Sequence, residues 1–426
     1  MTPDSFFLAE WRSRKPGERR SIARARRLAD ALGLLGQARP VLSVVGSKGK
    51  GAAATYASAG LAAAGLRVVT VTGPGYRRAE ERIRVDGRAV SAAALLELAA
   101  RLAAARDAAG LAAARDAAPD AAARAGLPGG YLAPTGLFTL AGVLHAQDVA
   151  ADMIVLEAGM GGLGDEISLF TPTVMALTPI FAEHVGKLGD TPAEIAREKA
   201  GIATPATRAV LTVPQATDVA GEIVATVTKR SQGRALVEVI DPGSTAIAPC
   251  LLPAGLSAHN AELGCAAAHR LLDVTGRTRP SGARLAAVLG SVRLPGRLSR
   301  HQLPGARTEL ITDAAINRAG IAAALAAAAQ WWTGVDHVLI CLPDHKDVQG
   351  AISELAGLPV TFVRLPDHHL RFAHPLPAGW AVIDAAQLTR EFVAGLGRRV
   401  MALGTVYFAG RVLDLADADT QRLFIS

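Results

Sequence analysis

The residues best placed to do chemistry stand together in Val41 to Thr55, VLSVVGSKGKGAAAT. Gly46, Ser47, Lys48, Gly49, Lys50 and Gly51 form a glycine-rich turn carrying two lysines. Glycines let a backbone close around a phosphate, free N–H groups and a helix dipole point at it, and a lysine supplies charge. Lys50 is the candidate for that lysine. The loop is one residue shorter than G-x-x-x-x-G-K-[ST], and a glycine follows the lysine. Glu157, in ADMIVLEAGMGG (Ala151 to Gly162), is the second candidate. An acid at the carboxyl end of a buried strand beside a phosphate loop suits Mg2+, a hard cation that prefers carboxylate, water and phosphate oxygens. The plainer alternative is a buried strand-end acid that caps a neighbouring loop.

These side chains need elements to hold them. Val41 to Val45 reads as a buried parallel strand, and AAATYASAGLAAAG as an Ala-rich helix of three to four turns closed by Gly65 at C′. Leu66 to Thr72 is a second strand. TELITD, DHVLICL, PVTFV, WAVID and RVMALGT alternate with helical stretches in a βαβ rhythm, which implies a Rossmann-like second domain. No G-x-G-x-x-G occurs where a dinucleotide would need it. The fold class is therefore α/β, and 426 residues suit two domains, 1–293 and 294–426. The Ala-rich stretch from about 102 to 125 holds a direct repeat, LAAARDAAG then LAAARDAAP. Nine residues turn a helix by about two and a half turns, so an unbroken helix would place the copies on opposite faces. With Gly110 and Pro119 as breakers, the second copy reads as an exposed insertion.

Half the residues are hydrophobic but only 4% are aromatic, so the core is built from Ala, Val and Leu. No apolar run is long enough to span a membrane. RSRKPGERRSIARARR lacks a following apolar segment and reads as an amphipathic surface helix instead of a targeting signal. Three widely spaced cysteines match no metal pattern and suit a reduced, cytoplasmic protein. The net charge is +7, but the arginines are scattered and few aromatics could stack bases. The charge therefore points away from nucleic acid and toward anionic small molecules such as ATP.

The loop GSKGKGA resembles GTNGKGS of folylpolyglutamate and dihydrofolate synthetases and GTNGKT of the related Mur ligases. The resemblance runs from the N-terminal helix to Gly410. VLEAGMGG is similar to VLEVGLGG, Leu188 to Ile202 nearly matches LGDTLEEIAREKAGI, and LPGRLSR (Leu294 to Arg300) contains the family's LPGR hinge. The resemblance implies a P-loop-containing Mur-ligase-type ATPase domain followed by a smaller Rossmann-like domain. It also implies an ATP-dependent amide ligase, in which Mg-ATP phosphorylates a small carboxylate acceptor and an amino acid or other amine attacks the acyl phosphate. Carried over residue by residue, Lys50 and Arg297 would stabilise the transferring phosphoryl group. Glu157, His184 and a carbamylated Lys199 would hold Mg2+, Asn260 would meet adenine, and Asp313 would bind nucleotide. By themselves, His184 is an ordinary loop histidine and Lys199 a helix-surface lysine paired with Glu198 or Glu194.

The departures fall mainly on the acceptor side. Gly73-Pro74-Gly75-Tyr76 stands where the family has Ser-Pro-His, before an ERIR segment (Glu81 to Arg84) that matches and otherwise reads as an edge strand. Gly136 replaces a glutamate. In LGDEIS, Leu163 and Ser168 replace an arginine and an asparagine, while Asp165 remains. In TDAAINR, Asp313 and Asn317 remain, while Ile316 and Arg318 replace histidine and proline. Ala52 stands where a Ser or Thr would ligate Mg2+, a place that water can fill. Three readings follow: a ligase with an acceptor other than folate, an ordinary folate ligase, and a non-catalytic nucleotide-binding paralogue acting with a partner subunit.

Overall fold

The computed structural model describes residues 3–116, 128–366 and 370–426. The end of the Ala-rich stretch, 117–127, lies outside them. Within the described residues, β1 (Val41–Val45), β2 (Val68–Val71), β3 (Ile83–Val85), β4 (Arg88–Ala89), β5 (Met153–Glu157), β6 (Val174–Leu177), β7 (Ala209–Thr212) and β8 (Leu236–Val239) form one sheet. Its order is β4-β3-β2-β5-β1-β6-β7-β8. β1 pairs in parallel with β5 and β6, and the antiparallel pairings, β2 with β3 and β3 with β4, lie at one edge. The register sets Val44 opposite Glu157 and Val45 opposite Leu177. Three neighbouring strands thus end together, which opens a crevice at their carboxyl ends where α/β sheets bind ligands.

Both faces of this sheet are covered, which is why its central strands read as unbroken apolar runs. On one face the Lys50–Ala63 helix follows the glycine loop, and every residue from Gly51 to Ala63 is buried. It packs against the Ser257–Val274 helix. Any side chain at Gly264 would collide with the Ala53 carbonyl, so small residues on both helices are what allow the approach. Gly65 takes φ +81 just beyond the helix, as expected of a C′ glycine.

The second sheet comprises β9 (Ser299–Gln302), β10 (Glu309–Asp313), β11 (His337–Cys341), β12 (Val360–Arg364), β13 (Ala381–Asp384) and β14 (Arg399–Gly404). Its order is β13-β12-β11-β14-β10-β9, parallel except for β9. The architecture is therefore α/β in two domains, as expected.

Three local expectations change. Leu111 has no exposed surface, so the start of the second repeat is packed, not splayed out. Gly110, at φ +70, breaks the helix that ends at Ala108 and resets its phase, so Leu102 and Leu111 are buried alike. The N-terminal amphipathic helix spans only Ile22–Ala31, capped by Ser21, and its Arg24 is buried in an ion pair with Glu10 at 3.0 Å. ERIR is not an exposed edge: β4 covers β3, and Glu81 and Arg84 are buried.

What ERIR holds is the end of the chain, which returns from the second domain to the first. Arg84 donates to the carbonyls of Thr420 (2.8 Å) and Gln421 (2.9 Å), and the Thr420 hydroxyl donates to Glu81 at 2.7 Å. Ala89 N–H donates to Gln421 at 2.8 Å, and Phe424, 2% exposed, lies against Gly87 within the first domain's core. Phe424→Ala should cost about 3 kcal/mol. Chemical denaturation should show this as a lowered midpoint, and an unchanged midpoint would mean the tail does not brace the first domain.

Candidate functional site

The glycine loop occupies the crevice. Gly46 takes φ +140 and lies so close to Thr178 that a side chain could not fit. Ser47 N–H donates to Pro179 at 2.9 Å, and its hydroxyl accepts from Phe181 N–H at 3.2 Å. Gly49, at φ +89, is the helix N-cap residue, with the Asn260 amide pressed against it. Lys50 Nζ folds back onto the loop and donates to the carbonyls of Gly46 (2.9 Å) and Ser47 (3.4 Å). The loop is thus held from outside, while its lysine stays within the crevice.

Glu157 is 8% exposed, and its Oε2 accepts from Gly73 N–H at 3.1 Å. Burial pushes its carboxyl pKa up, and the nearby charges of Lys50 and Arg297 oppose this. Its hard carboxylate fits a Mg2+ ion that fills its other positions with water and phosphate oxygens. Among the described residues no cage of three or more His, Cys, Asp or Glu is gathered.

Lys199 is buried to 1% exposure, so it is not a helix-surface residue. Its Nζ donates to Gly46 carbonyl at 3.0 Å and pairs with Glu183 at 2.8 Å. Neither Glu198 nor Glu194 is its partner. Glu198 accepts from Gly162 and Gly164 N–H groups, and Glu194 closes a capping box with Thr191. Burial, then the charge of Lys50, holds the Lys199 pKa below the usual lysine range. His184 is exposed and left-handed (φ +48), with Glu183, Lys346 and Lys199 among the charges around it.

The second domain closes the crevice. Arg297 reaches across so closely to Gly51 that a side chain there would displace its guanidinium. Asp313 accepts from Leu298 N–H at 2.8 Å, and Lys48 of the loop faces it. Burial pushes the Asp313 carboxyl up to about 6, against the pull of that N–H group, Arg297 and Lys48. Asn260 donates to Leu256 carbonyl at 3.0 Å, and its Oδ1 is buried without a partner among the described residues. Asn317 caps the Arg318–Ala328 helix through Gly320 N–H at 2.9 Å, which is a structural role.

On the acceptor side, Gly136 lies in the Pro134–Asp148 helix, and the Glu166 side chain occupies the space where a side chain at 136 would begin. Glu166 has no exposed surface and pairs with Arg20, which also meets Asp165 at 3.3 Å. A carboxylate is therefore present there, supplied by another element. Glu183, Lys346, Glu166 and Tyr76 are the residues that sequence reasoning did not place at the site. Adjacency to His184 was the available signal for Glu183, the Lys-Asp of LPDHKD for Lys346, and the departure at Gly73 to Tyr76 for Tyr76; Glu166 carries no local pattern. Ala52 has no exposed surface.

The Asp313 value sets a pH dependence. The unfolded carboxyl releases its proton near 3.8 and the folded one near 6, so stability is greatest below that window and falls as pH rises through it. The loss is about 2 to 3 kcal/mol. Asp313→Asn, which keeps an oxygen for Leu298 N–H, should be more stable than wild type at pH 7.5, with the gap closing toward pH 4. Parallel stability curves for the two proteins would contradict the assignment.

No family model matches the chain. It is similar to the dihydrofolate synthase/folylpolyglutamate synthase of Mycobacterium tuberculosis, 30% identical over 364 residues, covering 79% of this chain and 72% of that protein. A probable bifunctional folylpolyglutamate synthase/dihydropteroate synthase of Haloferax volcanii is 32% identical over 178 residues, 42% of this chain. The chain spans only 19% of that archaeal protein's length. Among solved structures, the M. tuberculosis folylpolyglutamate synthase complexed with ADP has a TM-score of 0.77 at 22% identity, covering 98% of this chain and 99% of that one. The apo L. casei enzyme also has a TM-score of 0.77, over 97% of this chain and 99% of its own. Together with the glycine loop, Glu157 and the two-domain crevice, the alignment along most of both chains shows that this protein belongs to the folylpolyglutamate synthase/dihydrofolate synthase family.

Proposed function

We propose that the chain is an ATP-dependent, ADP-forming acid–amino-acid ligase whose acceptor carboxylate is not folate. The observation that carries the first half is a convergence of charge. Lys48, Lys50, Lys199, Lys346 and Arg297 face one glycine loop at the carboxyl ends of β1, β5 and β6, opposed by Glu157, Glu183 and Asp313. Such a surplus of cations on a cradle of N–H groups suits a polyphosphate. The relative solved with ADP supports a nucleotide there. The crevice lies between the domains, which we divide near Leu294, and free cysteines suit a reduced cytoplasmic setting.

In this reading a carboxylate oxygen of the acceptor attacks the γ-phosphorus and ADP leaves. The amine then attacks the acyl carbon, phosphate leaves, and the nitrogen gives up a proton. Lys50 and Arg297 neutralise charge on the transferring phosphoryl group, and orientation contributes the rest of the rate. Asn260, placed against the loop, contacts the base. Glu157, His184 and a carbamylated Lys199 would hold Mg2+, which would supply neutralisation of the phosphate oxygens. A lysine buried with a lowered pKa can be neutral and take up CO2, so Lys199 is the residue to carry a carbamate.

Support for a changed acceptor comes from alterations that cluster. Gly75 and Tyr76 reshape the loop after β2, Glu166 takes the space over Gly136, and Ile316 removes a histidine, while the nucleotide side keeps its charged residues. Ala52 favours a second reading, a nucleotide-binding paralogue without turnover. Purified protein given Mg-ATP, glutamate and a mixed metabolite pool should release ADP only when acid and amine are both present. Lys50→Ala should lose about a hundredfold or more of that release while remaining folded, because among the described residues its Nζ hydrogen-bonds only to loop carbonyls. Efficient glutamylation of tetrahydrofolate would return the chain to the ordinary folate role, and ADP release indifferent to both substrates would favour the paralogue.

A further inference from the structure

Tyr76 carries an aromatic ring from the acceptor loop into the junction of the two domains. Its backbone N–H donates to Glu81 Oε2 at 2.7 Å, which anchors it to the first domain. The second domain is shaped around it by two glycines. A side chain at Gly296, in the interdomain linker, would strike the ring. One at Gly410, in the Val406–Leu415 helix, would strike the Tyr76 carbonyl. Next along the chain, Arg77 reaches Asp414 and the Ala418 carbonyl of the same domain.

The hydroxyl at the end of that ring is fully buried; it neighbours the Arg297 guanidinium, yet makes no well-formed hydrogen bond among the described residues. Leaving a buried polar group unpaired costs about 1 to 3 kcal/mol, and such groups are rare enough to need a reason. Its charged neighbours are Arg297, Asp313, Glu157 and Glu81. With Glu157 and Arg297 it lines a cavity of about 40 Å3, on the order of two or three waters. A phenol can accept from a guanidinium and donate onward to a carboxylate or phosphate oxygen at the same time. Phenylalanine would fill the slot equally well and do neither.

We propose that Tyr76 is a positioning residue for Arg297: its hydroxyl engages the guanidinium when an anion occupies the glycine loop, coupling the acceptor loop (73–76) to the phosphoryl site. The proposal rests on the reading above that Arg297 meets the terminal phosphate. The hydroxyl already neighbours the guanidinium, and the contact tightens when an anion draws Arg297 to the loop, so its removal affects ligand affinity more than folding. Tyr76 thereby makes the loop that recognises the acceptor and the arginine that steadies the nucleotide parts of one packed unit.

The test is nucleotide binding, which needs no knowledge of the acceptor. ADP and a non-hydrolysable ATP analogue with a methylene bridge are titrated calorimetrically into wild type, Tyr76→Phe, Arg297→Lys and the double variant. Tyr76→Phe should melt no lower than wild type, bind the ATP analogue about tenfold more weakly, and bind ADP within about twofold of wild type. In the Arg297→Lys background it should add less than about twofold, since the two act as one unit. Unchanged affinity for the ATP analogue, equal losses for both nucleotides, additive effects in the double variant, or a lowered melting temperature would each overturn the proposal. A wild-type protein that binds neither nucleotide would overturn the functional reading and this inference with it. Binding by wild type with no effect of Tyr76→Phe would overturn the inference alone.

Discussion

Like charges do not gather unless the fold forces them to, and the gathering of Lys48, Lys50, Lys199, Lys346 and Arg297 is the constraint on which the rest of this structure depends. Two of them cannot relax into solvent. Lys199 is held by the Gly46 carbonyl and Glu183, and Arg297 is fixed over Gly51. Burial, with neighbouring cations, lowers the pKa values of Lys48 and Lys199, while burial raises those of Glu157 and Asp313. Such a gathering of cations is electrostatically unfavourable by itself, and polyphosphate charge would offset it. Stability has been spent on a site whose charges are arranged before the ligand arrives.

That arrangement needs rigid supports on both sides. In the first domain, the parallel register sets the ends of β1, β5 and β6 side by side, and small residues let the Lys50–Ala63 and Ser257–Val274 helices approach closely. Across the junction the chain crosses twice, once through the linker and once as the returning tail. The tail's grip on Arg84, Glu81 and Gly87 works against separation of the domains. The linker combines Gly296 at φ +68 with Leu298 at φ +50, so the backbone beside Arg297 adopts an uncommon conformation for a bulky residue. Asp313 steadies it by accepting the Leu298 N–H.

The acceptor side follows a different logic. The Glu166 side chain fills the space over Gly136 from a different element, with Arg20 as its counter-ion. Exchanges of this kind keep a pocket filled and neutral while changing its shape.

Much of this was legible in the chain itself. The strand, glycine loop and Ala-rich helix follow from local apolar patterning and backbone freedom, and the second domain from its βαβ rhythm, because periodicity depends only on neighbours a few residues apart. Glu157 was recognisable as a strand-end acid for the same reason. The partner of Lys199 was not, since Glu198 and Glu194 are close in sequence but turned to their own backbone contacts, while Glu183 arrives from a separate loop. The burial of Leu111 depended on the helix phase that Gly110 resets, and the filling of Gly136 by Glu166 on two elements meeting in space. Tyr76 is the clearest case. Its loop was legible as a departure just before ERIR, but its burial at the domain junction is set by Gly296 and Gly410, more than 200 residues away. Local pattern determines which elements form, but which side chains meet is decided by long-range packing, where a buried charge or hydroxyl takes whatever partner the tertiary fold brings within reach.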